Sequence, residues 1–552
     1  MFSAKTLWTS MPVPVREALM LFAHGGVRMY NVFTLVMESI EQGWQGLTPE
    51  NKRDLLLGLA VTAWEDAPWD VHSCTILTQC AESGMEVPRP VLQAAKQGAA
   101  LAAASEDIAK RLDSAIQHND EQALRALLLR LRERSPNSLV LLKYAARLGL
   151  FTGDVDWFRD FYDGMKLPPL LVHMLDGMVH FALEEWDAAA QCHEQALQLC
   201  PLPGLFYRLG ECLYRQGDAG ATALFNRAAM EAPWDSTLLL RLADMREGLD
   251  RPGPLPDGQG VILLYSWNHA ADLEDTLNHL LTSDLGSSKL LLLDNGSTDD
   301  TPAVAEYMRK KFAGRLRCIR LPVNVGAPAA RNWLLQEPEA VKADWVTFLD
   351  DDALVPPDWL RYMGTALKAF PNAAIVGCQV SAMQGNLTVQ STDLHLSCDA
   401  MLGTGTDGAS VTLKMDDFAS GLCDFGYFKY IRACMSVTGC CHLLRRESIV
   451  RVGGFDIIFS PSQYDDLERD LRAVLDGQCV VFTGHLCIRH KKRTGVMVRT
   501  NHKQAVSGLG NLIKLRGLMT EQQLGEIRRA DYAAVFDQLL RRVLQYGAEE
   551  LG

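Results

Sequence analysis

The sequence predicts a multidomain chain: an all-α solenoid in the N-terminal half, an α/β domain with a largely parallel sheet after it, and further helix at the end. Three observations predict this. Up to about residue 247, apolar residues recur at three- and four-residue spacing and strand signals are almost absent. Residues 248–260 (GLDRPGPLPDGQG) hold too much Pro and Gly for a continuous helix or a central strand. Beyond them the period changes, and 261–265 (VILLY) and 290–294 (LLLLD) read as short buried strands alternating with helical segments.

At 552 residues the chain exceeds what one hydrophobic core organises. Its 48% hydrophobic and 22% charged residues are the balance of a folded protein rather than a disordered one. A net charge of −13 gives no general attraction for nucleic acid or anionic lipid, so any phosphate must be held by a local cluster or a metal. The 14 cysteines form no CxxC pair, which fits a reducing compartment. The N-terminal residues lack a signal-peptide pattern and no run of about 18 apolar residues occurs, so a cytoplasmic protein without an integral membrane segment is expected. In that setting the sequon at Asn386 has no consequence.

Within the helical half, Thr48-Pro49-Glu50 marks a helix start, with Thr48 as cap and Pro49 in the first turn. Two later blocks repeat each other: Ala189 and Ala221, Ala196 and Ala228, Pro201 and Pro233 recur at a constant offset close to the period of about 34 residues of helix-turn-helix solenoids. With Gly177 and Gly210 in the preceding helices, these blocks resemble tetratricopeptide repeats. A weaker copy runs from Ala123 past Pro136 to Gly153-Asp154. The boundaries are then a helical cap over 1–109, repeat-like helices over 110–247, a linker over 248–260, a catalytic domain over 261–500 and a helical extension over 501–552. An ordinary all-α domain with alanines at helix crossings would give the same marks.

In an open parallel sheet, ligands bind at the carboxyl ends of the strands, so polar residues that follow apolar runs are the place to look for chemistry. Four such places occur: Ser266, Trp267 and Asn268; Asp294 through Asp300; Asp350, Asp351 and Asp352; and His490. Three adjacent aspartates concentrate negative charge that a divalent cation would compensate. Each pattern also has a plain reading. Asp294–Asp300 is an Asx-type turn when taken alone, and an aspartate triplet is often an exposed acidic loop.

In combination these segments resemble inverting glycosyltransferases of family 2, with the GT-A fold. LLLLDNGSTDDT is similar to the family's strand and DGSTD turn, NVGAPAARN to its N-x-G-x-x-x-A-R-N, WVTFLDDDALVPPDWL to its DxD segment, and VGGFDIIFSPSQYDDLERDLR to its GGFDE…ED segment. The match runs in the family's order from Val261 to about Lys492. It implies a donor that is a nucleotide-diphosphate sugar, UDP-linked by family expectation, and a hexosyl or N-acetylhexosaminyl transfer assisted by Mn2+ or Mg2+. Asp294 and Ser266, with Asn268, would line the base pocket, and Asp350 would touch the donor ribose beside Asp351. Asp352 would hold the metal, with His490 as a further ligand. Arg331 would set a fixed charge against the base or phosphates, and Lys491, Lys492 and Arg493 could clamp the diphosphate. Asp466, the second residue of Asp465-Asp466, would be the catalytic base at the start of a helix beginning near Pro461. In the family's pattern position 465 is Glu. The resemblance also implies acceptor-binding elements between 380 and 436, and Trp359, His395 and the aromatics of DFGYFKY are the residues expected to line them.

For the acceptor, repeat arrays present surfaces suited to polypeptides. The architecture resembles bacterial protein glycosyltransferases, so a protein, flagellin among the candidates, is the first expectation. The alternatives are a transferase for a cell-surface polysaccharide or lipid-linked glycan, and a non-catalytic scaffold with a decayed transferase domain.

Overall fold

A computed structural model describes residues 3–21, 27–100, 110–114, 121–383, 387–397, 419–420, 422–491 and 502–545. Lys492 and Arg493, Asn386 of the sequon and all of 398–418 lie outside them.

The first half is helical throughout its described residues. Pro169–Ala182 packs with Trp186–Leu199, Pro203–Gln216 packs with Ala221–Glu231, and Ser236–Glu247 closes the series. The recurring small residues mark close crossings. A Cβ on Gly177 would meet the His193 ring at 2.4 Å, and one on Gly210 would meet Phe225 at 3.0 Å. Ala189, Ala196, Ala221 and Ala228 are buried in the same crossings. Pro203 stands in the first turn of its helix, and Gly217 and Gly248, at φ 73° and 67°, end two helices in the left-handed conformation that carries no Cβ penalty there.

Residues 248–260 are laid against the α/β half rather than hanging free. Gly253 donates its N–H to Thr365 Oγ1 at 2.9 Å, and a Cβ on Gly364 would meet Pro254 O at 2.1 Å. The sheet that follows comprises β1 (Gly260–Ser266), β2 (Lys289–Asp294), β3 (Leu316–Arg320), β4 (Trp345–Leu349), β5 (Ala353–Leu354), β6 (Ala373–Ala382), β7 (Val389–Ser391), β8 (Ile431–Cys434), β9 (Cys441–Arg445) and β10 (Cys479–His490). Its order is β3-β2-β1-β4-β9-β6-β10-β5, with β7 on β6 and β8 on β10.

The expectation of a largely parallel sheet holds for half of it. β3, β2, β1 and β4 are parallel, but β9 runs antiparallel to both β4 and β6, while β10 is parallel to β6 and antiparallel to β5 and β8. The chain enters β9 at the carboxyl end of β4, where Asp350 N donates to Cys440 O at 2.9 Å, and therefore runs back along it. A short strand buried on both faces is apolar whichever way it runs, so its pattern carries no direction.

The two halves are joined through buried polar groups on the first helix of successive pairs. Tyr207 and Arg241 donate to Gly426 O at 2.6 and 3.2 Å, Arg208 Nε donates to Tyr427 OH at 3.0 Å, and Phe181 meets Phe425 edge-on at 5.4 Å between centroids. Phe425 and Tyr427 are thus buried against the helices, and Phe428 and Tyr430 are buried as well, contrary to the acceptor-lining expectation. Trp359 is fully buried in the α/β core, and His395 is held between Asp393 and Asp531 at 2.8 and 2.7 Å on a cavity of only about 20 Å³, too small for an acceptor. Aromatic residues satisfy a core as well as a ligand pocket, and composition does not separate the two uses.

Asp244 is the centre of this junction. Its carboxylate accepts from Ile431 N at 2.7 Å and pairs with His485 at 2.8 Å and Arg542 at 2.7 Å, linking the helical half, the sheet and the last helix, Glu521–Gln545. Asp244→Asn is expected to lower stability by about 2 kcal/mol, the worth of hydrogen bonds to a buried charge. A drop in the thermal midpoint by scanning calorimetry checks this; an unchanged midpoint would show that the junction does not hold the halves together.

Candidate active site

The polar residues that follow the apolar runs converge at one edge of the sheet. β1 and β2 are in parallel register with Ser266 beside Asp294. At the end of β4 the chain turns through Asp350, Asp351 and Asp352 into β5, where Ala353 pairs with His490 at the end of β10. Lys491 N donates to Asp352 O at 3.0 Å and completes that pairing. Strand pairing therefore sets His490 beside the aspartates despite their distance in sequence.

The ligand atoms of Asp350, Asp352 and His490 lie within 4.8 Å of one another. His490 Nε2 is 2.9 Å from Asp352 Oδ1 and 3.9 Å from Asp350 Oδ2. Burial pushes the Asp350 carboxyl up to about 6, against the pull of Arg331 and His490. Two carboxylates and an imidazole within one ion's reach are a donor set suited to a hard or borderline divalent cation such as Mn2+ or Mg2+.

Asp351 faces a different way. Its Oδ2 takes the Ser266 hydroxyl and lies 3.5 Å from His269 Nδ1, while its backbone oxygen accepts from Thr276 at 2.9 Å. The hydrogen bond to Asp351 raises His269 to about 9. Ser266 and Asp351 thus tie β1 to the aspartate turn.

The turn after β2 is latched from several sides. Asp294 Oδ1 accepts Ser297 N at 2.9 Å, which is the Asx-type turn of the plain reading, but its other oxygen faces Arg320 Nε at 3.2 Å across the sheet edge. Asn268 Oδ1 accepts Thr298 N at 2.7 Å, so the carbonyl of its side chain braces the turn. Asn295 joins the same turn to Asn324 and to Val325 N, each at 3.0 Å.

Arg331 differs from its expected place against the base or phosphates. Only 5% exposed, it donates from Nη1 to Asp465 Oδ2 at 2.8 Å and from Nη2 to Gly439 O at 3.3 Å, and lies 3.7 Å from Asp350 Oδ1. Its guanidinium also stacks over Phe455 and Tyr265 at 5.1 and 5.5 Å. The helix Ala327–Leu335 carries it under the sheet edge, where it compensates carboxylates instead of meeting solvent.

Those carboxylates begin the helix Asp465–Leu475. It starts four residues later than expected, because Gln463 and Tyr464 take positive φ of 81° and 71°. Asp465 is buried on Arg331. Asp466 is half-buried, with Oδ2 accepting Gly439 N at 2.6 Å. Both sit in the first turn, where the helix dipole favours negative charge. Lys491, considered for the diphosphate, pairs instead with Asp272 at 3.0 Å and with Asp275 on the first helix after β1.

Sequence reasoning missed two groups here. The amide of Gln390 contacts His490 twice, and the Gly439-Cys440 backbone touches Asp466, Arg331 and Asp350. Neither has a local signal, since both act only through long-range pairing.

The site is therefore a cluster of acidic and imidazole ligands at the carboxyl edge of an α/β sheet, with a second carboxylate pair opposite. Residues 261–453 match the family model described as Glycosyl transferase family 2. Among curated proteins the chain is similar to the O-antigen biosynthesis protein RfbC of Myxococcus xanthus, 25% identical over 324 residues, which is 56% of this chain and 24% of that protein. The chain thus spans about a quarter of the length of that relative. Among solved structures it is similar to a Pyrobaculum calidifontis mannosyltransferase, PcManGT, described in complex with GDP-Man and Mn2+, at TM-score 0.35 and 16% identity over 60% of this chain and 89% of that one. S. aureus TarS 1-349 in complex with UDP-GlcNAc aligns at TM-score 0.34 and 15% identity over 52% and 73%.

Proposed function

We propose that the chain is a metal-dependent inverting glycosyltransferase that moves a hexosyl or N-acetylhexosaminyl group from a nucleotide-diphosphate sugar, UDP-linked, to an acceptor hydroxyl. The observation that carries this reading is the convergence of Asp350, Asp352 and His490 within a domain that matches a glycosyltransferase family.

In this reading Asp352 and His490 hold Mn2+ or Mg2+, with Asp350 at the donor ribose and within reach of the same ion. The bound ion supplies charge neutralisation to the departing nucleotide diphosphate. Asp294, Ser266 and Asn268 shape the base pocket: an Asp294 oxygen accepts the N3–H of uracil, and the other two brace the turns that hold it. Asp466 stands half-open to solvent and accepts the acceptor's proton as its oxygen attacks the anomeric carbon from the face opposite the leaving group, which gives inversion. Asp465 and Arg331 fix the position of that helix start.

The acceptor is where the structure bears on the alternatives. A protein acceptor, flagellin among the candidates, held by the repeat-like helices would have to use other surfaces than the one Phe425, Gly426 and Tyr427 fill. The second reading is a cell-surface polysaccharide or lipid-linked glycan as acceptor. The printed name of the Myxococcus relative points that way. No helix among the described residues is long and apolar enough to cross a membrane. The cysteine usage, with no CxxC pair among 14, supports a reducing, cytoplasmic setting as part of this proposal.

The test is release of nucleoside diphosphate by the purified chain from common nucleotide sugars, with Mn2+ or Mg2+ and with EDTA. Release that EDTA abolishes supports the reading. Absence of both turnover and metal-dependent nucleotide binding would replace it with the scaffold alternative. The raised Asp350 carboxyl adds a pH signature: above about 6 it is ionised and available to the cation, and below about 6 a proton competes for it. Cation affinity is expected to fall about tenfold per pH unit below that point, as required when one ligand must lose a proton. Mn2+ titrations at several pH values check this.

A further inference from the structure

We infer that Gln390 is a positioning residue for the cation site, holding hydrogen on His490 Nδ1 so that Nε2 is the nitrogen that can ligate a cation beside Asp350 and Asp352. The inference rests on the metal reading above.

Gln390 lies on β7, which pairs with Val380 and Ser381 at one end of β6; β10 pairs with the same end, His490 opposite Ala382. Gln390 is 7% exposed and His490 8%. The amide grips His490 at two points, with Oε1 2.9 Å from the ring Nδ1 and Nε2 donating to the His490 backbone oxygen at 3.2 Å. The second contact fixes the first. A backbone carbonyl only accepts, so the amide NH2 must face it and the amide oxygen must face the ring. An amide oxygen also only accepts, so Nδ1 must carry hydrogen. Nε2, the atom 2.9 Å from Asp352 Oδ1, is then the ring nitrogen whose hydrogen a cation can replace. Flipping the amide would set two acceptors against each other and leave the opposite tautomer, with its N–H pointing into the ion's place. Partners of this kind on a histidine ligand typically change metal affinity by about 10- to 100-fold.

The experiment compares the full-length wild type with Gln390→Leu and Gln390→Glu. Mn2+ affinity is read from the electron-spin-resonance signal of free Mn2+, and imidazole ligation from the nitrogen modulation of bound Mn2+. Gln390→Leu is expected to weaken Mn2+ about 10- to 100-fold and to lose or reduce the nitrogen modulation. Gln390→Glu keeps the acceptor for Nδ1–H but loses the donor to the His490 backbone oxygen, so it is expected to retain the nitrogen modulation that the leucine variant loses while its thermal midpoint falls, a separation that a purely structural role would not give. Equal affinity and modulation in the leucine variant would overturn the inference while leaving the metal reading intact. No Mn2+ binding by wild type would remove the metal reading and this inference with it. Should the leucine variant fail to fold, the His490 tautomer in wild type decides, read by nitrogen NMR of histidine-labelled protein with His490→Asn for assignment. Hydrogen on Nδ1 supports the inference, with or without hydrogen on Nε2, and a bare Nδ1 overturns it.

Discussion

Asp352→Ala is expected to lower metal-dependent release of nucleoside diphosphate by about 10^3-fold or more, the loss of several kcal/mol of leaving-group stabilisation. Asp352 is 6% exposed, and its Oδ1 is the nearest carboxylate oxygen to His490 Nε2. Without it the imidazole faces Asp350 alone, across 3.9 Å, and two of the charges that would hold a divalent ion are reduced to one. The fold should survive, because Asp352 secures the strand end through its backbone oxygen, which accepts from Lys491 N. Mn2+ affinity and diphosphate release should therefore fall together while the thermal midpoint stays near that of wild type. Asp351→Asn is the comparison: its carboxylate is engaged with Ser266 and His269, so cation affinity should change little. Full EDTA-sensitive turnover by Asp352→Ala would remove this residue from the cation site.

The site was legible in the sequence where its chemistry lies at a strand end. Asp294, the aspartate triplet and His490 each follow an apolar run, and a buried strand delivers whatever follows it to the sheet edge. The helical half was legible for a similar reason, since Gly177, Gly210 and the spaced alanines mark crossings too tight for larger side chains. What escaped depends on pairing between distant segments. β9 is a short buried strand like those beside it, and its direction is set by where Cys440 meets Asp350. Arg331 in a helix gives no sign that it will be buried under two carboxylates, and a lone Gln390 gives none that it will reach His490. The aromatics of DFGYFKY misled in the other direction, because a segment rich in Phe and Tyr packs against the helices by the same forces that would bind a ligand. Arg208, Tyr207 and Arg241 gave no cue that their partners lay more than 180 residues downstream.

Asp466→Asn is expected to lower kcat by about 10^2- to 10^4-fold, the range for removing a general base, with donor KM and Mn2+ affinity within a few-fold of wild type. The asparagine keeps the shape and an oxygen that can accept Gly439 N–H, so the helix start should stand; what it loses is the capacity to take a proton. The neighbouring Asp465→Asn should do the reverse. Asp465 is 2% exposed and bonded to Arg331, and neutralising it leaves a buried guanidinium short of compensation, at a cost of about 3 kcal/mol. Its signature is a lowered thermal midpoint, with any activity loss following the loss of folded protein. Steady-state kinetics beside calorimetry on the two variants separates the roles. If Asp465→Asn folds normally and loses kcat while Asp466→Asn retains it, the proton acceptor is Asp465 and Arg331 is its activating partner. If both keep kcat, no carboxylate of this pair is the base, and displacement at the anomeric carbon must draw its proton acceptor from elsewhere in the site.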